Sequence, residues 1–231
     1  LKLSLLIAAQ STHCIDNDIY CYSWIADDST KCNHISELPN LYCKKSCQLC
    51  DTTPVLKEYD IKKTPARLKS IAFLIGKWRS EFNGKAVFPT IPNFTYGEEI
   101  DFKLITKDNQ ILDVISYKAF AWDNSKMKEL HSEYGFLSVV NNNGSEAISL
   151  NTVMSNGFAT IEEGNERELS IELRMQRIAR ITFSHDLPVL QMLRSWTLLA
   201  PRRLEARLSM STKSHRNIEE HTSIIYDKIY P

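Results

Sequence analysis

LSIELRM, residues 169–175, is the stretch on which the fold turns. Leu169, Ile171, Leu173 and Met175 lie on one side of an extended chain, with Ser170, Glu172 and Arg174 on the other. Successive side chains of a strand point to opposite faces, so this is a strand with one buried and one wet face. LEARLSM, residues 204–210, repeats the pattern with Leu204, Ala206, Leu208 and Met210. Further strands are expected at 95–105, 111–122, 129–140, 146–154, 157–162, 178–183, 190–199 and 218–229. Turn-forming residues separate them: Lys107-Asp108-Asn109, Asp123-Asn124, Asn141–Gly144 and Asn156-Gly157. About ten antiparallel strands in one domain predict an all-β, closed up-and-down barrel, because closure removes exposed edges. A barrel of that size can enclose one ligand. Periodicity alone leaves a two-sheet sandwich open.

Upstream of the strands the composition changes. Thr64 and Pro65 offer a helix start, and Leu68, Ile71, Ala72 and Ile75 give an apolar stripe at helical spacing that Gly76 can end. Residues 51–63, DTTPVLKEYDIKK, read as a polar linker. All six cysteines fall between Cys14 and Cys50, spaced C-x6-C-x10-C-x10-C-x3-C-x2-C. A segment that short needs staples, and disulfides persist outside the cytosol. Six cysteines allow fifteen pairings; zinc is the competing reading for Cys43, Cys47 and Cys50. The opening LKLSLLIAAQ reads as the tail of a secretory signal peptide, which predicts an extracellular protein. The expected organisation is residues 1–13 as signal-peptide remnant and lead-in, 14–50 as the disulfide-rich domain, 51–63 as linker and 64–231 as the barrel domain.

The cysteine segment, with C-x-D at Cys14–Asp16, C-x-x-W at Cys21–Trp24 and the ending C-x10-C-x3-C-x2-C, resembles the ShK-toxin-like (ShKT) domain. That resemblance implies the pairs Cys14–Cys50, Cys21–Cys43 and Cys32–Cys47. Channel-blocking members carry a lysine and an aromatic residue where Glu37 and Leu38 stand here. A carboxylate cannot imitate the ammonium that plugs a potassium pore, so the segment reads as a docking module with a protein partner rather than a toxin.

GKWRSEFNGKAVFPTIPNFTYGEEIDF at 76–102 resembles the opening of the nitrobindins, haem-binding barrels also found as the C-terminal domain of a vertebrate THAP protein. LHSEYGFL at 130–137, IEEG at 161–164, RIARITF at 177–183, LSMST at 208–212 and EEHTSIIYDKI at 219–229 follow in the family's order. The resemblance implies a ten-stranded barrel holding ferric haem b, with His221 as the axial iron ligand. It implies that Thr90 lies against the haem and that His131 lines the side where small ligands approach. Neutral imidazole is a good donor to iron, and a barrel domain without cysteine offers no thiolate. One departure stands out: Ser80 and Phe82 occupy the two later glycine positions of the family's G-x-W-x-G-x-G opening.

The function expected from this resemblance is binding of nitric oxide or isomerisation of peroxynitrite to nitrate, with no catalytic residue beyond the haem iron. The alternative is a non-catalytic extracellular carrier or sensor of haem or another hydrophobic ligand. The balance of 28 basic and 28 acidic residues argues against a nucleic-acid partner, and no uncharged run is long enough to span a membrane. No G-x-S-x-G, H-E-x-x-H or phosphate-cradling loop is present. Glu162-Glu163 and Glu219-Glu220 read as turn or surface charges.

Overall fold

The computed structural model describes residues 16, 18–33, 42–49, 55–125, 128–142, 145–182, 184 and 188–231. Ten strands form one closed antiparallel barrel: β1 (Gly76–Ala86), β2 (Phe94–Lys107), β3 (Gln110–Asp123), β4 (Glu129–Asn142), β5 (Ser145–Met154), β6 (Phe158–Arg167), β7 (Ser170–Arg180), β8 (Val189–Ala200), β9 (Arg203–Thr212) and β10 (Glu219–Tyr230). Each strand pairs with its sequence neighbours, and β1 closes the ring on β10. The sandwich alternative is thereby removed.

Short turns fix the registers. Asp108 and Asn109 both have positive φ, 48° and 64°, as a two-residue hairpin with the right twist requires. Two differences from the sequence reading cancel in the strand count. Residues 178–183 are not a separate strand, because β7 runs unbroken to Arg180. The segment Gly76–Ala86 is a strand whose alternation is broken by an irregular register between Ser80 and Gly84. There Ser80 is buried and its Oγ accepts from the Asn83 amide at 3.3 Å, while Phe82 points to solvent. The two lost glycines are absorbed by this bulge without opening the barrel.

The expected α-helix at 64–75 is a 3₁₀ helix over Ala66–Leu74. Leu68, Ile71 and Leu74 recur every third residue, so a three-residue turn stacks them on one buried face. The Thr64 hydroxyl does not cap this helix; it donates backward to the Ile61 carbonyl at 2.7 Å. Nor is the described part of the linker, residues 55–63, free. It forms two 3₁₀ turns, Lys57–Tyr59 and Ile61–Lys63, that bury Tyr59 and Ile61. Tyr59 donates to Asp101 on β2 at 2.8 Å.

The cysteine-rich segment contributes helix α1 (Cys21–Asp27). Bridges join Cys21 to Cys43 and Cys32 to Cys47, so Cys43 and Cys47 are not thiolates free for zinc. The expected Cys14–Cys50 pair lies outside the described residues, as do Glu37 and Leu38. Tyr22 on α1 donates to the Pro201 carbonyl in the β8–β9 turn. Lys69 reaches the Asp27 carbonyl at 2.8 Å. The segment therefore sits at the barrel end formed by the β8–β9 turn. Above it lies an aromatic core: the Phe102 and Trp196 rings meet edge-on at 5.2 Å, with Tyr117 tilted against both. Among the described residues, no helix is long and apolar enough to cross a membrane.

Candidate functional site

His221 lies at the opposite end of the barrel, and its direction is set by a bulge. Ile224, Tyr226 and Lys228 are buried along β10, so simple alternation from them would turn Thr222 inward and His221 outward. The β9–β10 register breaks between Glu220, opposite Ser209, and Thr222, opposite Leu208. One extra residue reverses the parity, and His221 is only 3% exposed. Its Nδ1 lies 2.8 Å from the Glu219 carbonyl oxygen. A carbonyl only accepts, so Nδ1 carries a proton, and in the neutral imidazole Nε2 is the nitrogen that keeps its lone pair. The Phe88 ring tilts against the imidazole at 5.3 Å, and the His221 carbonyl accepts from the Val87 amide at 2.7 Å. These contacts bring the β1–β2 loop to the histidine.

Thr90 belongs to that loop, in a turn closed by the Ile91 amide on the Phe88 carbonyl at 3.3 Å, and its side chain is exposed. His131 is half-buried on β4, opposite Ala121 of β3, on the same strand face as buried Glu133. Going round the ring from β10 through β1, β2 and β3 to β4 takes four steps of ten, which places His131 across the barrel from His221. All three expected site residues are thus at one end. The β7–β8 ladder runs only from Ser170–Thr197 to Arg174–Leu193; beyond it, Met175–Arg180 pair with β6 alone. Trp78 lies at the other end, buried, with its indole N–H on the Leu74 carbonyl at 2.7 Å. His215 is half-buried in the β9–β10 loop, and His13, His34 and His185 lie outside the described residues.

A layer of polar side chains crosses the barrel below the histidines, and sequence reading did not find it. Arg194 on β8 is its hub. It donates to Glu133 at 2.7 and 3.1 Å, to Glu162 at 3.0 and 3.3 Å, and to the Tyr117 hydroxyl at 3.2 Å. Tyr117 in turn donates to Glu133. Thr160 donates to Glu162 at 2.8 Å and meets Thr152 at 2.7 Å. Tyr226 donates to Glu98. Glu162 is therefore no surface charge but fully buried, whereas Glu220 does lie outside, paired with Arg207 at 2.7 Å.

Burial pushes the Glu133 carboxyl up, but the charge and hydrogen bonds of Arg194 outweigh it and hold the group below the usual carboxylate range. Glu98 has no such cation in contact. Burial raises it to about 7, against the opposing hydrogen bond from Tyr226. Burial also holds the Tyr117 and Tyr226 phenols well above their ordinary range.

The large groove outside β6–β8, about 710 Å³, is lined by Glu163, Arg167, Glu172, Arg174 and other polar groups. That lining does not suit a flat apolar ligand. The histidine end does: Ala86 is buried opposite Phe94, the rings of Phe88 and Phe94 pack against the core, and the buried His221 imidazole lies beside Phe88. Among the described residues, no group of three His, Cys, Asp or Glu gathers as for a bare metal ion. One donor in an apolar, aromatic setting fits a metal that brings its own remaining ligands, as haem iron does.

Residues 67–228 match the family described as the THAP4-like, heme-binding beta-barrel domain. The chain belongs to this family. An uncharacterized protein of Caenorhabditis elegans is 48% identical over 225 residues, covering 94% of this chain and 74% of that one. The human peroxynitrite isomerase THAP4 is 26% identical over 164 residues, 71% of this chain. This chain spans only 27% of the length of that relative. Peroxynitrite isomerase 1 of Rhodococcus jostii is 35% identical over 106 residues, 46% of this chain and 54% of that protein. The crystal structure of Rv2717c from M. tuberculosis shares the fold, with a TM-score of 0.59 and 23% identity over 71% of this chain and 98% of that one.

Proposed function

We propose that this chain is a secreted protein that holds ferric haem b at the His221 end of the barrel and binds nitric oxide or isomerises peroxynitrite to nitrate. The observation that carries the proposal is the buried His221 with Nδ1 committed to the Glu219 carbonyl and Nε2 left without a hydrogen-bond partner among the described residues. That outer hydrogen bond fixes ring orientation and tautomer and raises ligand basicity, as metal-ligating histidines require. Bound at Nε2, haem would supply the redox-active iron at which a small nitrogen oxide binds and rearranges.

The residues of the chain have separate tasks in this reading. His221 binds and orients. Phe88 and the Val87 amide hold the β1–β2 loop over it and exclude water from that side. His131, across the barrel, offers an imidazole to a small ligand from the far wall. The Arg194 layer closes the floor, and the ion pairs of Arg194 with Glu133 and Glu162 hold the pocket's lower boundary. The two disulfides and the cysteine spacing support a ShKT-like docking module at the opposite end, with a protein partner of its own.

Hemin titration of wild type and His221→Ala tests the ligand assignment. Stopped-flow decay of peroxynitrite then separates isomerase from carrier. Acceleration beyond that given by free hemin supports the isomerase. Haem uptake without acceleration supports the carrier or sensor.

A further inference from the structure

The end of the barrel that faces the cysteine-rich segment holds a buried cation that the haem-site reading does not use. Lys228 on β10 is 1% exposed, and its Nζ has no hydrogen-bond partner among the described residues. The Nζ lies 4.1 Å from the centroid of the Tyr22 ring and 4.9 Å from that of Trp78. Gly76 makes room for it: a Cβ there would stand 2.3 Å from the Lys228 Cε. Lys228 lines a cavity of about 20 Å³ together with Tyr22, Lys45, Ser46, Gln48 and Tyr59. That space holds one water or one ion of similar size, and no organic ligand.

The surrounding charge is unbalanced. Lys45 and Arg202 act on Lys228 as further positive charges, and Asp16 is the acid that opposes them. Asp16 is already engaged, accepting from the Ser46 amide at 2.9 Å and from the Ser46 hydroxyl. Arg202 is engaged too, donating to the Lys228 carbonyl at 2.7 Å. Lys45 and Lys228 remain, both lining the cavity. Burial pushes Lys228 well down, and Lys45 down to about 8. The two ring faces pull the other way, because an aromatic face attracts an ammonium and not an amine. When Lys228 carries its proton, a buried ammonium without a counter-charge is costly, and a small anion between the two lysines offsets that cost.

We propose that this cavity binds one small monovalent anion of the halide class, held between Lys228 and Lys45. The site joins Lys45, Ser46 and Tyr22 of the cysteine-rich segment to Lys228 of the barrel, so occupancy strengthens their attachment. It lies at the end away from His221, and its test does not involve haem.

The experiment uses the full chain with its disulfides intact, in gluconate buffer of constant ionic strength, titrated with sodium bromide. Thermal unfolding is followed in solution, and bromide anomalous scattering is recorded from crystals. Wild type is expected to show a saturable rise in unfolding temperature and an anomalous peak between the two lysine nitrogens. Lys228→Met, which keeps the volume and removes the charge, is expected to weaken the apparent bromide affinity on the order of tenfold or more. Lys45→Gln, at a half-exposed position that tolerates change, is expected to weaken it in the same direction, and it carries the test should Lys228→Met not fold. An unsaturable response shared equally by wild type and the variants overturns the proposal. So does a site that scatters as water alone.

Discussion

Arg194→Met is the substitution whose consequence the structure defines most sharply. Arg194 makes all five of its donor contacts inside the barrel, to Glu133, Glu162 and Tyr117. Methionine removes the cation and leaves two carboxylates facing each other in a closed interior. Breaking a buried pair from one side costs about 3–5 kcal/mol, because the remaining charge has no partner. In a chain of this size that corresponds to a fall in unfolding temperature of roughly 6–20 °C. The deficit must also depend on pH. In wild type the Glu133 carboxyl is held below its ordinary range, so its contribution is intact above that range and is lost only as pH falls through the depressed value. Between pH 8 and pH 5 the wild-type contribution is therefore nearly constant. In Arg194→Met the carboxylate pair takes up a proton as pH falls, so the deficit shrinks towards pH 5. The assay is equilibrium urea unfolding of both proteins at pH 8 and pH 5, followed by tryptophan fluorescence. Adding Glu133→Gln and Glu162→Gln to the variant is expected to restore much of the loss. A deficit below about 1 kcal/mol at pH 8, or one that does not change with pH, would refute the reasoning.

Other outcomes follow from the same geometry. Glu98 titrates in the folded protein near 7, above its unfolded value, so its stabilising contribution is complete below about 4.5 and is lost as pH rises to 7. Glu98→Gln, which keeps an acceptor for Tyr226, is expected to gain about 2–3 kcal/mol on wild type between pH 5 and pH 8.5, measured by urea midpoints. Gly76→Ala meets a φ of +138° and a Cβ position 2.7 Å from the Tyr230 carbonyl oxygen, and is expected to lower stability by about 2–3 kcal/mol in thermal unfolding. Replacing both Cys21 and Cys43 by alanine removes a bridge of sequence separation 22, at a cost of about 3 kcal/mol. Protease sensitivity is expected to appear around α1, while hemin uptake by the barrel stays at the wild-type level.

The barrel was legible wherever apolar and polar residues alternate without interruption, as in Leu169–Met175 and Leu204–Met210. It was illegible where a bulge shifts the parity. Strand β1 hides behind the irregular run from Ser80 to Gly84, and β7 looks like two strands because Gln176, between Arg177 opposite Ile161 and Met175 opposite Glu162, interrupts the pattern. His221 shows the same effect at the site itself. Counted from Ile224 and Tyr226, it belongs outside, so alternation alone argues against it; only the resemblance to a haem-binding family pointed there. The Arg194 layer left no trace in the sequence because its members lie on seven strands and meet only on closure. Glu162 and Glu163 look alike as turn or surface charges, yet adjacent strand residues face opposite ways, and here Glu162 is the one inside. A carboxylate is stable there because an arginine 32 residues away reaches it.

In the proposed function His221 Nε2 is the one protein donor to haem iron. The most direct measurement is the visible absorption spectrum of the full chain during hemin titration, for wild type and His221→Ala. Wild type is expected to show saturable one-to-one uptake, with a shifted Soret band. Loss of that band position and weaker uptake are expected in His221→Ala, with added imidazole restoring the band. Identical spectra and affinities for the two proteins would contradict the assignment.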